Sequence, residues 1–306
     1  MSSRRVTVIL NTAAGRAKDD ALTERLVTVF EKSGIPVNVH RVQGGQGIEN
    51  LVAEAVRDRD YAVAAGGGDG TVGTVASGLV GSETALGVLP LGTLNHFAKD
   101  LGVPLDPDEA ARTIATGRIR TVDVGEVNGR IFVNNSSLGL YPSVVRGRER
   151  EQRLGRSKWV AFFWAALAVL KRHPTLTIRL ECDDGQTMTR RTPLVFIGNN
   201  RYEMNGLKIG SRPSLDAGML SVYLLHHERA VSLLRMGLEA VFGRLRRGVG
   251  FDFLAAHTVR IDVRRRKVHV ATDGEVSTAV PPLHYKIHPH ALRVIVPAPE
   301  KPGPAR

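Results

Sequence analysis

The first third of the chain alternates short apolar runs with amphipathic stretches. "RRVTVIL" (4–10), "IPVNVHRV" (35–42), "YAVAA" (61–65) and "ALGVLP" (85–90) are rich in apolar and β-branched residues and predict strands. Between them, residues 19–33 bring Leu22, Leu26, Val29 and Phe30 onto one helical face, and residues 47–58 do the same for Ile48, Leu51, Val52 and Val56. Residues 71–80 and 93–100 continue the series as shorter helices. Apolar strands alternating with helices predict a parallel sheet covered on both faces. In such sheets ligands sit beyond the carboxyl ends of the strands.

After about residue 120 the period changes. "TVDVGEVNGRIFVNNSS" sets Asn128-Gly129 between two strand-like runs, the residue pair that a type I′ hairpin favours. Further strands are predicted at 175–182, 192–199, 218–225, 258–265 and 267–275, interrupted by helices at about 157–172 and 229–247. The expectation is an α/β protein. A Rossmann-like parallel-sheet domain covers residues 1–125, and a second, mainly antiparallel β-sandwich domain covers 126–290. The last strand, 291–297, could join either domain, so residues 291–306 are candidates to complete the first. The tail "APEKPGPAR" predicts disorder.

Composition narrows the partners. The length, 306 residues, agrees with two domains. A single cysteine, Cys182, excludes a disulfide framework and predicts a reduced, cytoplasmic setting. The first apolar stretch is too short for a signal peptide. The longest, Trp159 to Leu170, falls short of the roughly 20 residues of a membrane span. The protein is therefore expected in the cytoplasm, at most peripheral at the inner face of the membrane. A net charge of +12 asks for an acidic partner. Aromatic residues are only 5% and are not interleaved with the basic clusters at Arg244–Arg247 and Arg264–Lys267, and no nucleic-acid module occurs. That argues against nucleic acid and leaves an anionic membrane surface or phosphorylated substrates, although each cluster alone reads as a solvated face.

The stretch "AAGGGDGT" (64–71) carries the chemistry. A strand that ends in glycines and passes into a helix exposes main-chain N–H groups and a helix N-terminus to phosphate. Gly66, Gly67, Gly68 and Gly70 let a ligand approach the backbone, and Thr71 can cap the helix or bind a phosphate oxygen. Asp69 would repel a phosphate unless a cation lies between them. Mg²⁺ suits that position, because it takes few carboxylates together with waters and phosphate oxygens. Two more small-residue loops, "NTAAGRAK" from Asn11 and "LPLGTLNHFAKDLG" from Leu89, leave the same edge of the predicted sheet. Together they outline a nucleotide-triphosphate site without the P-loop or dinucleotide pattern.

These segments, with "NNSSLGLYP" and "TDGE", resemble the diacylglycerol kinase catalytic-domain family, bacterial lipid kinases related to sphingosine and ceramide kinases. "GGDGT" alone is shared with NAD kinases and phosphofructokinases; the combination with "LPLGTLN" is specific to the lipid kinases. The resemblance spans about residues 4–297. It implies ATP and Mg²⁺ as cofactors and transfer of the γ-phosphate to a hydroxyl of a diacylglycerol-like or long-chain-base lipid. By resemblance, Asn11, Thr12, Ala13, Ala14 and Gly15 touch the nucleotide, Gly67, Gly68, Asp69, Gly70 and Thr71 cradle its phosphates, and Thr93 binds ATP. Asp273 is implied as general base on the lipid hydroxyl, with Glu275 at the nucleotide. Read without the resemblance, Asp273-Gly274 is a hairpin turn.

Two positions depart from the family pattern. His96 stands where members usually carry aspartate. Ala217 stands where the family places a ligand of a second Mg²⁺, leaving Asp216 one residue earlier as a shifted candidate. The acceptor cleft is implied between the domains, lined by 136–149. The helices at 157–172 and 229–247 carry basic ends on apolar bodies, suited either to an anionic membrane surface or to the core. An NAD kinase-like enzyme and a lipid- or nucleotide-binding regulator without catalysis are the alternatives. A homodimer is left open.

Overall fold

The structure, a computed structural model, describes residues 4–13, 20–139, 175–205, 208–225 and 251–299. The predicted helices at 157–172 and 229–247, and residues 140–149 of the predicted acceptor segment, lie outside the described residues. The chain divides into two compact units, one formed by Met1–Val122 with His290–Arg306 and the other by Asp123–Pro289.

The first unit runs β1 (Val6–Asn11), α1 (Asp20–Lys32), β2 (Val37–Val42), α2 (Ile48–Arg57), β3 (Ala62–Gly67), α3 (Asp69–Leu79), β4 (Ala85–Pro90), α4 (His96–Asp100) and α5 (Pro107–Thr116). Its strands are parallel in the order β2-β1-β3-β4. Every residue of β3 and β4 is buried, as a sheet covered on both faces requires. Helix α1 packs with α5, and α2 with α3. Leu22, Leu26 and Phe30 recur every four residues on α1 and are buried, so the predicted apolar stripe is the one that packs. Helix α5 has a local cause: Asp106 accepts hydrogen bonds from the N–H groups of Asp108 and Glu109, and Pro107 occupies the first turn.

The chain leaves β1 toward β2 on one side, then returns to β3 on the other. That reversal is a topological switch point, and it sets the carboxyl ends of β1 and β3 beside each other. Asn11 closes β1 and Gly67 closes β3.

The second unit begins within β5 (Arg118–Val127) and adds β6 (Arg130–Phe132), β7 (Asn135–Gly139), β8 (Leu176–Cys182), β9 (Thr187–Thr192) and β10 (Leu194–Asn199). Two short pieces, β11 (Met204–Asn205) and β12 (Lys208–Ile209), precede β13 (Leu220–Leu225), β14 (Phe251–Ala256) and β15 (Thr258–Val263). The hairpin of β16 (Val268–Thr272) and β17 (Glu275–Ala279) then leads into β18 (Leu283–Val296).

One sheet of this unit has the order β14-β13-β10-β7-β16-β17, antiparallel at every pairing. The other layer includes β18, β15, β8 and β9, also antiparallel. Alternate residues of both layers meet in one core, among them Leu138, Val195, Ile197, Val222 and Val270 from the first and Ile178, Leu180, Ile261 and Tyr285 from the second. This is the expected sandwich. Asn128 and Gly129 both have positive φ between β5 and β6, which is the type I′ turn that their sequence predicts.

Several boundaries differ from expectation. Strand β3 runs two residues past 61–65 and takes in Gly66 and Gly67, and α3 starts at Asp69 rather than 71. The loop between them is reduced to Gly68. The short helix expected at 93–100 starts only at His96. Strand β18 starts at Leu283, well before residue 291, and it pairs on both sides of the question left open: antiparallel with β15 near Leu283–Lys286, and parallel with β4 at Val294. No helix among the described residues is long and apolar enough to cross a membrane.

Candidate active site

Asn11 organises the first cluster. Its side-chain carbonyl accepts from the N–H groups of Ala13 (3.0 Å) and Gly44 (3.1 Å), and its amide donates to the Thr71 hydroxyl (2.9 Å). One side chain thus ties its own loop, the loop after β2 and the first turn of α3. Thr12 holds the same loop to Val42 through its N–H and its hydroxyl. Ala14 and Gly15 lie outside the described residues.

Thr71 is buried in the first turn of α3 and does not cap it; the capping position is Gly68, and among the described residues no side chain caps the helix N-terminus. The opening turn of α3, including Asp69, Gly70 and Thr71, therefore has N–H groups that no described side chain caps, at the positive end of an eleven-residue helix. Gly68 and Gly92 pack backbone against backbone: a Cβ on Gly92 would lie 2.5 Å from the Cα of Gly68. Asn95, in the left-handed conformation, closes the loop after β4 by accepting from the Gly92 N–H (3.1 Å) and donating to the Gly92 carbonyl (3.0 Å). Asp69 accepts one long hydrogen bond from the Phe97 N–H (3.3 Å), so it sits where the α3 and α4 starts meet. Thr93, in the loop after β4, and His96, the first residue of α4, are both exposed.

The second cluster centres on Asp273. Asp273 (φ 48°) and Gly274 (φ 87°) form a two-residue turn between paired Thr272 and Glu275, as the hairpin reading of this dipeptide expects. The aspartate side chain folds back onto the segment before β7. One carboxylate oxygen accepts from the N–H groups of Asn134 (2.8 Å) and Asn135 (3.1 Å), the other from that of Val133 (2.8 Å). A carboxylate offers about four lone-pair directions, and one remains for a further donor. Although the residue keeps some solvent contact, its carboxylate is set deep among protein atoms, and that burial pushes its pKa up to about 6. The three backbone donors and the Arg212 charge pull the other way. Glu275 makes an exposed ion pair with Arg130 (2.7 Å).

Comparison with known proteins places the chain. Residues 5–127 match the family described as diacylglycerol kinase catalytic domain. Residues 141–296 match the YegS C-terminal NAD kinase beta sandwich-like domain. The chain belongs to the diacylglycerol kinase family of lipid kinases. Among its relatives, a diacylglycerol kinase of Bacillus subtilis is 26% identical, with 96% of this chain and 97% of that one covered. A YegS-like protein of Pseudomonas aeruginosa, named a probable lipid kinase, is 30% identical over 81% of this chain and 80% of its own. A crystal structure of a diacylglycerol kinase from Bacillus anthracis has the same fold, with a TM-score of 0.70 at 20% identity, covering 96% of this chain and 97% of that one.

Within this lipid kinase, Asp216 accepts from the Ser214 hydroxyl (2.6 Å), the Ala217 N–H donates to Asn200, and the Gly218 N–H donates to Asp123 (2.6 Å). Among the described residues no group of three or more His, Cys, Asp or Glu side chains is arranged to hold a metal ion. Asp123 and Arg212, both buried, were missed from sequence. The signal for Asp123 is a carboxylate at an inward position of "TVDVGEV"; for Arg212, in a loop of irregular period, there is none.

Proposed function

We propose that the chain is an ATP-dependent kinase that transfers the γ-phosphate of ATP to a hydroxyl of a diacylglycerol-like or long-chain-base lipid. The observation that carries this is the seat of Asp273, a carboxylate fixed by three backbone N–H groups, with one lone pair to spare and a pKa pushed up to about 6. Such a group can take the proton of a hydroxyl as that hydroxyl attacks. Gly67, Gly68, Gly70 and Thr71 would bind phosphate oxygens at the uncapped start of α3, with Asn11, Thr12, Ala13, Ala14, Gly15 and Thr93 toward the rest of the nucleotide. Glu275 serves the nucleotide side together with Arg130.

The residues fit Mg²⁺ in a limited way. Asp69 is a single carboxylate beside the phosphate cradle, which suits an ion held mainly by phosphate oxygens and water, and Asp69 would hold it through such a water. Bound there, the ion would neutralise charge on the transferred phosphoryl group. A second ion at Asp216 would have to compete with Ser214.

A second reading has one specific support, the NAD kinase-like description of the C-terminal match. Incubation with γ-labelled ATP, Mg²⁺ and a panel of diacylglycerol, monoacylglycerol, sphingosine, ceramide and NAD separates the two. Label in the organic phase is expected. Label only in NADP would establish the alternative, and no transfer to any acceptor would overturn both. The surplus positive charge supports docking on an anionic membrane surface, and salt-insensitive binding to vesicles of any charge would exclude it.

A further inference from the structure

The segment that seats Asp273 is itself held by a cation. Arg212 is 5% exposed, and its guanidinium donates to the Val133 carbonyl (2.6 Å), the Asn199 carbonyl (3.2 Å) and the Asn134 side-chain carbonyl (3.1 Å), while lying over the Tyr202 ring. The Val133 carbonyl and the Asn134 N–H belong to one peptide group. The same planar unit therefore takes a charged donor at its oxygen and gives its hydrogen to Asp273. The next unit repeats the arrangement: the Asn134 carbonyl accepts from the Tyr202 hydroxyl (3.0 Å) and the Asn199 N–H (2.9 Å), and the Asn135 N–H donates to Asp273. Hydrogen bonds chained through a peptide group polarise one another.

We propose that Arg212 is a positioning residue for phosphoryl transfer, which fixes the Val133–Asn135 segment under the Asp273 carboxylate and delivers its charge to that carboxylate through the intervening peptide groups. A buried arginine serving packing alone would not need its donors on the carbonyl directly behind the base. The proposal rests on the kinase reading with Asp273 as base. Among the described residues, the charged groups around Asp273 are Arg212, which lowers its pKa, and the Glu275–Arg130 pair on the same hairpin and on β6. Tyr285 of β18 bonds Ser136, one residue beyond the seat.

The test is the pH dependence of kcat with diacylglycerol or whichever panel lipid is turned over, at saturating MgATP, in full-length protein whose folding is checked by thermal melting. Arg212→Gln is expected to move the acidic limb of kcat upward by about half a pH unit or more, since a nearby opposite charge typically shifts a carboxylate by that much or more, with KM for ATP unchanged. Arg212→Lys, which keeps the charge without the fork, is expected to return the limb most of the way while kcat stays below wild type. Tyr202→Phe deletes one hydroxyl and is expected to move the limb in the same direction by less. An unchanged limb in Arg212→Gln, whatever the loss of activity, overturns the proposal. If neither Arg212 variant folds, an unchanged limb in Tyr202→Phe overturns it. Asp273→Asn is the control for the underlying reading: full activity there refutes Asp273 as base and leaves the Arg212 result without meaning for catalysis, whereas an inactive Asp273→Asn with unshifted Arg212 and Tyr202 variants refutes this inference alone.

Discussion

At Asp273, burial raises the pKa and three N–H donors with Arg212 lower it, with burial prevailing at about 6. A general base works in its ionised form, so turnover should rise with pH through about 6 and level off above it. With MgATP and lipid saturating, the kcat profile of the wild-type enzyme should show that single limb. A profile flat from pH 5 to 8 would mean that no group of this kind limits the reaction. Apart from the family resemblance, the sequence announces the residue only as half of a hairpin dipeptide. What seats its carboxylate is a set of backbone N–H groups some 140 positions earlier in the chain, and backbone donors leave no mark on residue type.

On the element scale, the proposed phosphate side rests on two glycines with different reasons for being glycine. A Cβ on Gly92 would meet the Gly68 backbone at 2.5 Å, whereas one on Gly68 has 3.7 Å to the Gly92 Cα and an ordinary extended φ of −89°. Gly92→Ala should therefore lower Tm, because backbone cannot yield as a flexible side chain does. Gly68→Ala should melt near wild type yet raise KM for ATP severalfold, since its methyl stands where α3 opens. Equal Tm losses in both would show that the pair is structural only. The strands and helices around these glycines were legible because buried parallel strands are uninterrupted apolar runs. Strand β9, "TMTRRT", was not, because an exposed partner of β8 needs no apolar alternation. Helix α5 carried a capping aspartate and a first-turn proline at Asp106-Pro107 and could have been found from them. The start of α3 was displaced by Gly70, which reads as loop in a sequence yet lies in the first helical turn.

At the scale of the whole molecule, the proposed reaction needs groups that the chain keeps in separate units: the proposed phosphate cradle in Met1–Val122 and the proposed base in Asp123–Pro289. The hydroxyl must reach the γ-phosphate in line while its proton passes to Asp273. The family resemblance, carried by "GGGDGT" and "TDGE" although they lie about 200 residues apart, implied this pairing, whereas composition contributed only the surplus charge of +12. The most direct measurement is kcat and KM for ATP in Asp273→Asn, which keeps the size of the side chain and one acceptor oxygen but not the charge. Loss of the base should lower kcat by about 10²-fold or more, with KM for ATP close to wild type because the cradle lies in the other unit. A kcat within a few fold of wild type, or a loss confined to KM for ATP, would contradict the assignment of Asp273 as the base.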